Sequence, residues 1–431
     1  MAEENGRAFM TEMHEEKTAK SKKKPLLLLI LASAGPGILA ELAGNDAGAI
    51  STFSVAGASF GFKMLWAIPV AMLFLMVVQE IGARLGAKTG KGFAALIRES
   101  FGLRLTTLAM LALAIANSGT TFSEFAGIAA GMELFGVNKY IAVPVAGLAV
   151  WTLVMGGSYR RTERIFLIIS LVFLVYVVSA FVSRPSWPAV AINTVVPTLE
   201  PDPGFISLII AIIGTTIAPW MIFFGQSNVV EKGSTIKDLF FLRADVFIGA
   251  VIACLVVWFI TITTGTVLHE QGIEVVDAAA AAQALRPTVG HAAEVLFGVG
   301  LVGASFLAAC VLPLVTSYAV CEAFGWERGF NRSWSEAPMY KGIITAVIAI
   351  ACFVVLIPNV DLIQIMLTSQ VINGILLPVL LIFLVLLANN KKLMGTHRNG
   401  KLSNLLSVVT IVAVIALTIA LLVFQLMGYV W

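Results

Sequence analysis

Polar residues fill the first two dozen positions, and from Pro25 onward long apolar runs alternate with short polar connections. The runs cover about 25–58, 62–83, 103–131, 138–157, 163–183, 204–230, 243–267, 288–323, 340–357, 361–389 and 403–429. A helix of about 20 apolar residues crosses the roughly 30 Å of hydrocarbon in a bilayer. The pattern therefore predicts an all-α polytopic membrane protein with 11 transmembrane helices.

Basic residues sort by connection. The arm ending Lys20-Ser21-Lys22-Lys23-Lys24 belongs to one set. So do Arg84/Lys88/Lys91/Arg98/Arg104, Arg160/Arg161/Arg164, Lys232/Lys237/Arg243, Arg328/Arg332/Lys341 and Lys391/Lys392/Arg398/Lys401. The alternate set holds only Lys63, Lys139, Arg184 and Arg286. By the positive-inside rule the N-terminus lies in the cytoplasm and Trp431 outside. A multi-pass protein of the cell inner (plasma) membrane is expected.

Two runs are interrupted. The first carries GPGILAELAGNDAGAIS, with Glu41, Asn45 and Asp46 among glycines and Pro36. A carboxylate at the centre of a membrane helix costs roughly 2.5–3.5 kcal/mol on insertion scales. Loosened backbone beside an acid is tolerated where it lines a protein cavity. The sixth run reads GTTIAPWMIFFGQS, where Pro219 removes a backbone donor. Interruptions five crossings apart predict inverted repeats around a central site. The expected organisation is a cytoplasmic arm over 1–24, a first five-helix repeat over 25–190, a second, inverted one over 200–390, and the eleventh helix in 400–431.

Composition narrows the reading. Hydrophobic residues make up 59% of the 431 and charged residues only 12%, about half the share usual in soluble domains. A net charge of +3, distributed by loop, gives no nucleic-acid patch. The four cysteines Cys254, Cys310, Cys321 and Cys352 have neither zinc nor disulfide spacing and read as apolar packing residues. No nucleophile–base pair or paired aspartates suggest an enzyme.

Asp46, at the first break, is the strongest candidate for holding a cation. Glu41 lies about 140° round a regular helix from it. Glu124, in the third run, is a second acid at membrane depth, and Gln370, in the tenth, offers a neutral oxygen. Glu80 and Glu322 sit near cytoplasmic helix ends, where pairing with Arg or Lys is expected. The histidines His14, His269, His291 and His397 all fall in terminal, loop or segment-edge positions. No run therefore carries in its core the side chain that most easily moves protons near neutral pH. Met221 is near the second break, but it follows Pro219-Trp220 and is open to pointing elsewhere.

These residues resemble the NRAMP family of divalent transition-metal transporters. The resemblance runs through GPG…NDAGA (35–49), ARLGAKTGKG (83–92), SYRRTE (158–163), IAPWMIFFGQS (217–227), TSYAVCEAF (316–324) and SQV…LP…NNKKLMG (369–395). It implies the leucine-transporter-like fold, a 5+5 inverted repeat with helices 1 and 6 broken. It also makes the backbone carbonyls of Ala43 and Thr215 ligand positions. The departures are informative. Where the family reads Asp-Pro-Gly-Asn, this chain has Asp46-Ala47-Gly48-Ala49; where it reads Met-Pro-His-Asn, this chain has Ala218-Pro219-Trp220-Met221. An acidic pair falls on Thr121 and Glu124, so half of it remains. The chain is most similar to the NRAMP-related magnesium transporter branch.

Soft sulfur selects transition metals, whereas Mg²⁺ prefers oxygen and keeps several waters. Ala49 and Ala218 remove two direct ligands and leave room for water. The expectation is a carrier that moves Mg²⁺, and also Mn²⁺, largely hydrated, by alternating access and without proton coupling. Asp46 binds the ion; Glu41, Glu124 and Gln370 tune the cavity. The rival is a proton-coupled Mn²⁺/Fe²⁺ transporter. Expected partners are the ions and the bilayer, with no cofactor, nucleic acid or obligatory protein partner.

Overall fold

The computed structural model describes residues 44–156, 175–329 and 332–427. Glu41, Ala43, the N-terminal arm and the SYRRTE motif lie outside these. All regular structure among the described residues is helical: α1 (Ala47–Phe60), α2 (Ala67–Thr89), α3 (Phe93–Glu133), α4 (Lys139–Met155), α5 (Val175–Val182), α6 (Trp187–Val195), α7 (Pro203–Thr216), α8 (Pro219–Glu231), α9 (Leu239–Val267), α10 (Ala293–Phe324), α11 (Pro338–Val355), α12 (Leu362–Asn389) and α13 (Lys401–Leu426), besides short turns of helix. Among the described residues, eight stretches are long and apolar enough to cross a membrane, α7 and α8 counting together as one.

The surface has the character lipid requires. Leu103, Leu105, Leu108, Leu111 and Ile115 on α3 and Leu405, Val408 and Val412 on α13 are exposed. Apolar area on this scale marks contact with a membrane or partner rather than with water. The third apolar run began at 103 in the sequence, yet α3 begins ten residues sooner, at Phe93. Gly102 accounts for the difference: its φ of 76° breaks the helical path, so a short piece beside Arg98 and Arg104 precedes the long apolar one. That conformation favours glycine.

Close helix packing is built on small residues, as in other membrane bundles. A Cβ added to Gly214 of α7 would collide with backbone atoms of Gln370 and Gly374 on α12, and one added to Gly374 would stand 2.5 Å from the Ile210 carbonyl. Gly127 similarly brings α3 against Ala47 of α1 and Ser305 of α10.

Charge is concentrated at the Lys/Arg-rich end. Arg84, only 4% exposed, binds Glu80 at 3.0 Å, Asn399 at 2.7 Å and the His397 carbonyl. Arg243 of α9 reaches Glu80 at 2.8 Å. Glu322 pairs with Arg328 at 3.2 Å. Both glutamates form the ion pairs expected of them.

Candidate ion-binding site

Two short helices set the geometry. At 14 residues each, α1 and α7 are about 21 Å long, too short to cross hydrocarbon alone. Asp46 is the N-cap of α1: the backbone is extended there and Oδ1 accepts from the Ala49 N–H at 2.9 Å. Asp46 is 3% exposed.

Glu124, fully buried on α3, comes to the same helix end. Its Oε2 accepts from the Ala47 N–H at 3.2 Å, while Oε1 has no hydrogen-bond partner. A helix N-terminus carries roughly half a unit of positive charge, less than two carboxylates need. A further positive charge is required whenever both are ionised.

The second break is two residues wide. Ile217 (φ −118°, ψ 56°) and Ala218 (φ −61°, ψ 138°) leave the helical path between α7 and α8. Pro219 occupies the first position of α8, where a missing N–H is tolerated. It is also the residue whose N–H would have bonded the Thr215 carbonyl in a continuous helix, so that acceptor has no helical donor. The Thr215 hydroxyl is likewise buried without a partner.

Between the breaks lies a cavity of ≈ 20 Å³, lined by Gly44, Asn45, Ala49 and Phe53 on one side, Thr215, Thr216 and Met221 on another, and Leu75, Ala253, Cys254 and Val257 around them. About 10–15 Å³ is needed to hold one water, so in this conformation there is no room for an ion with several. Ala49 and Ala218 are 2% and 3% exposed. Asp46, Glu124 and Gln370 do not line this space; they lie against the α1 N-terminus on its other faces. Met221 does line it, despite its place after Trp220. Trp220 does not; its ring packs on Phe224 with centroids 5.8 Å apart.

Gln370, fully buried on α12, lies flat on Gly48: a Cβ there would be 2.6 Å from its Cδ, with Nε2 nearer still. The amide nitrogen therefore faces α1, and the oxygen expected to serve an ion accepts instead from Asn373 Nδ2 at 2.9 Å. Asn373 Nδ2 also reaches Thr120 Oγ1 at 2.8 Å.

Sequence reasoning missed Asn373, Thr120 and Cys254. Asn373 is three residues after Gln370, a spacing that puts both on one helix face and could have drawn notice. Nothing in the sequence marked Cys254. Among the described residues no three His, Cys, Asp or Glu side chains gather as a metal-binding group.

Comparison with known proteins follows the same lines. The sequence profile of the family described as "Natural resistance-associated macrophage protein-like" matches residues 37–424. The chain is 28% identical over 426 residues to "Divalent metal cation transporter MntH" of Yersinia pestis (strain Pestoides F), covering 97% of this chain and 99% of that one. The protein of the same name from Aeromonas hydrophila is 28% identical over 397 residues, 90% of this chain and 95% of its own. A crystal structure of the Eremococcus coleocola manganese transporter, bound to an aromatic bis-isothiourea substituted compound, superposes with a TM-score of 0.77 at 22% identity, over 94% of this chain and 88% of that one. A closed nucleobase-cation-symport-1 family transporter with bromovinylhydantoin bound superposes with a TM-score of 0.57 at 13% identity, over 92% of each chain.

Proposed function

The chain belongs to the natural resistance-associated macrophage protein-like family, and from that premise we propose that it is a membrane carrier for divalent metal ions, chiefly Mg²⁺ and also Mn²⁺. The ion moves largely hydrated, by alternating access, and without proton coupling. The protein sits in the cell inner membrane with its N-terminus inside and its C-terminus outside. The relatives named as divalent metal cation transporters support the ion class.

The observation that carries the choice of Mg²⁺ is the pair of buried alanines at the two breaks. Ala49 and Ala218 stand where the family resemblance expects an amide and a thioether ligand, and neither has a donor atom. The oxygen offered at the two breaks is the Asp46 carboxylate, which does not line the closed cavity, with the Thr215 carbonyl deprived of its donor and the Thr215 hydroxyl without a partner, which do. A hard ion that keeps much of its water needs few direct ligands. The closed cavity must widen to admit it, which alternating access supplies.

A second reading, a proton-coupled Mn²⁺/Fe²⁺ transporter, also has observations in its favour. Met221 and Cys254 bring sulfur to the cavity, and sulfur favours softer ions. Glu124, beside Asp46 with one oxygen unpartnered, could take up a proton. Flux into proteoliposomes separates the two readings, with Mg²⁺, Mn²⁺ and Ca²⁺ compared and lumenal pH recorded together. Mg²⁺ uptake without acidification supports the first; metal uptake driven uphill by a pH gradient supports the second.

A further inference from the structure

The Gln370 amide is held in a setting that does not suit a cation. Its nitrogen faces Gly48 and its oxygen is turned away to Asn373. Water bound to a cation turns its hydrogens outward and needs acceptors around it, and the cation itself needs oxygen. An amide NH₂ answers neither need.

What holds the amide is a chain of fully buried groups. Asn373 Nδ2 donates to Gln370 Oε1 at 2.9 Å and to Thr120 Oγ1 at 2.8 Å. Thr120 Oγ1 is 3.2 Å from Asn373 Oδ1 and 3.1 Å from the Ala116 carbonyl. Gln370 Nε2 has one weak partner, Ser369 Oγ, at 3.3 Å. Gln370, Asn373 and Thr120 are all 0% exposed, so no bulk water can replace a bond that is lost.

Turning both amides over would give a second bonded setting. If both amides turn over, Gln370 Nε2 donates to Asn373 Oδ1 and Gln370 Oε1 faces the α1 N-terminus. Thr120, whose hydroxyl both donates and accepts, can bond Asn373 in either setting. We propose that Asn373, braced by Thr120, is a positioning residue that sets which end of the Gln370 amide faces the ion: nitrogen when the site is empty, oxygen when it is loaded. A cation selects the second setting because it binds that one better. The inference rests on reading the α1 N-terminus as the ion site.

The experiment measures Mg²⁺ uptake into proteoliposomes by Asn373→Leu, Gln370→Leu and the double variant, each checked for monodisperse elution. Losing a buried hydrogen bond of ordinary strength changes affinity by about fivefold. Asn373→Leu is expected to raise KM about that much, with the maximal rate changed less, and Thr120→Val to do the same more weakly. In the Gln370→Leu background, Asn373→Leu is expected to add nothing to KM, because it acts only through that amide. An unchanged KM in Asn373→Leu, or an equal rise in both backgrounds, overturns the proposal. Asp46→Ala run alongside isolates the premise: full uptake by that variant removes the site itself, whereas its loss combined with additive Asn373 and Gln370 effects removes only the positioning role.

Discussion

Glu124 and Ala47 are 77 positions apart in sequence, yet the Glu124 carboxylate accepts the Ala47 N–H at 3.2 Å. The contact brings a second buried acid to a helix end that Asp46 already caps. Two ionised carboxylates at one N-terminus exceed what the helix dipole balances, so a cation or a proton is needed to complete the arrangement.

Asp46→Ala is expected to reduce Mg²⁺ uptake by at least tenfold while the protein elutes normally. It removes the acid at the α1 break and also an N-cap, which alone costs about 1 kcal/mol. Asp46→Asn retains the cap and should lose nearly as much transport. Near-normal flux through Asp46→Asn would reassign the ion to other ligands.

The double variant Ala49→Asn, Ala218→Met restores an amide and a thioether at the two breaks. It is expected to lose Mg²⁺ transport relative to Mn²⁺ and Cd²⁺, since sulfur contributes nothing to a hard ion. Both positions are closely packed, so stability should fall by about 1–3 kcal/mol from overpacking. A folded double variant with its Mg²⁺ preference intact would mean that these alanines do not set selectivity.

Uptake of Mg²⁺ is expected to leave lumenal pH unchanged, and an imposed pH gradient should not drive accumulation. The chain has Thr121 where an acidic pair would have its other member, and Trp220 where the family places a histidine. A proton signal that tracks metal entry, abolished in Glu124→Gln, would transfer the protein to the coupled class.

Arg84→Ala is expected to lower thermal stability by about 3 kcal/mol, the low end for breaking a buried pair, because Glu80 still has Arg243 at 2.8 Å. The lost contacts to Asn399 and the His397 carbonyl free the connection before α13. Thermal unfolding in detergent reads the loss directly; a midpoint within a degree of wild type would show the network to be dispensable.

Gly214→Ala and Gly374→Ala should each destabilise the protein by about 1–3 kcal/mol, since the added methyl meets backbone that cannot give way. Gly342→Ala on α11 is the control: nothing lies within 4 Å of its added Cβ. It should be neutral or gain about 0.4–1 kcal/mol through the unfolded chain. Equal behaviour of all three would contradict the close approach of α7 and α12.

The apolar runs foretold nearly every long helix, because length and hydropathy are properties of contiguous residues. Pro219 marked the second break for the same reason. Partners across helices were not legible. That Met221 reaches the cavity, that Cys254 joins it, and that Gln370 turns its nitrogen inward all depend on how distant segments pack. The start of α3 was misjudged because Arg98, Glu99 and Ser100, followed by Gly102, cut the short apolar turn at 93–97 off from the long run, and only the backbone at Gly102 separates the two parts.

The glycine contact between α7 and α12 also determines where the molecule can bend. Backbone meets backbone at Gly214 and Gly374, so these two helices resist sliding past each other there. The non-helical φ and ψ angles of Ile217 and Ala218 are the joint between this pair and α8. The Thr215 carbonyl sits at the end of α7, beside the joint, and α8 turns past it. Rotation at this joint changes what faces that carbonyl, so stiffening the joint with Ala218→Pro should slow release and entry together.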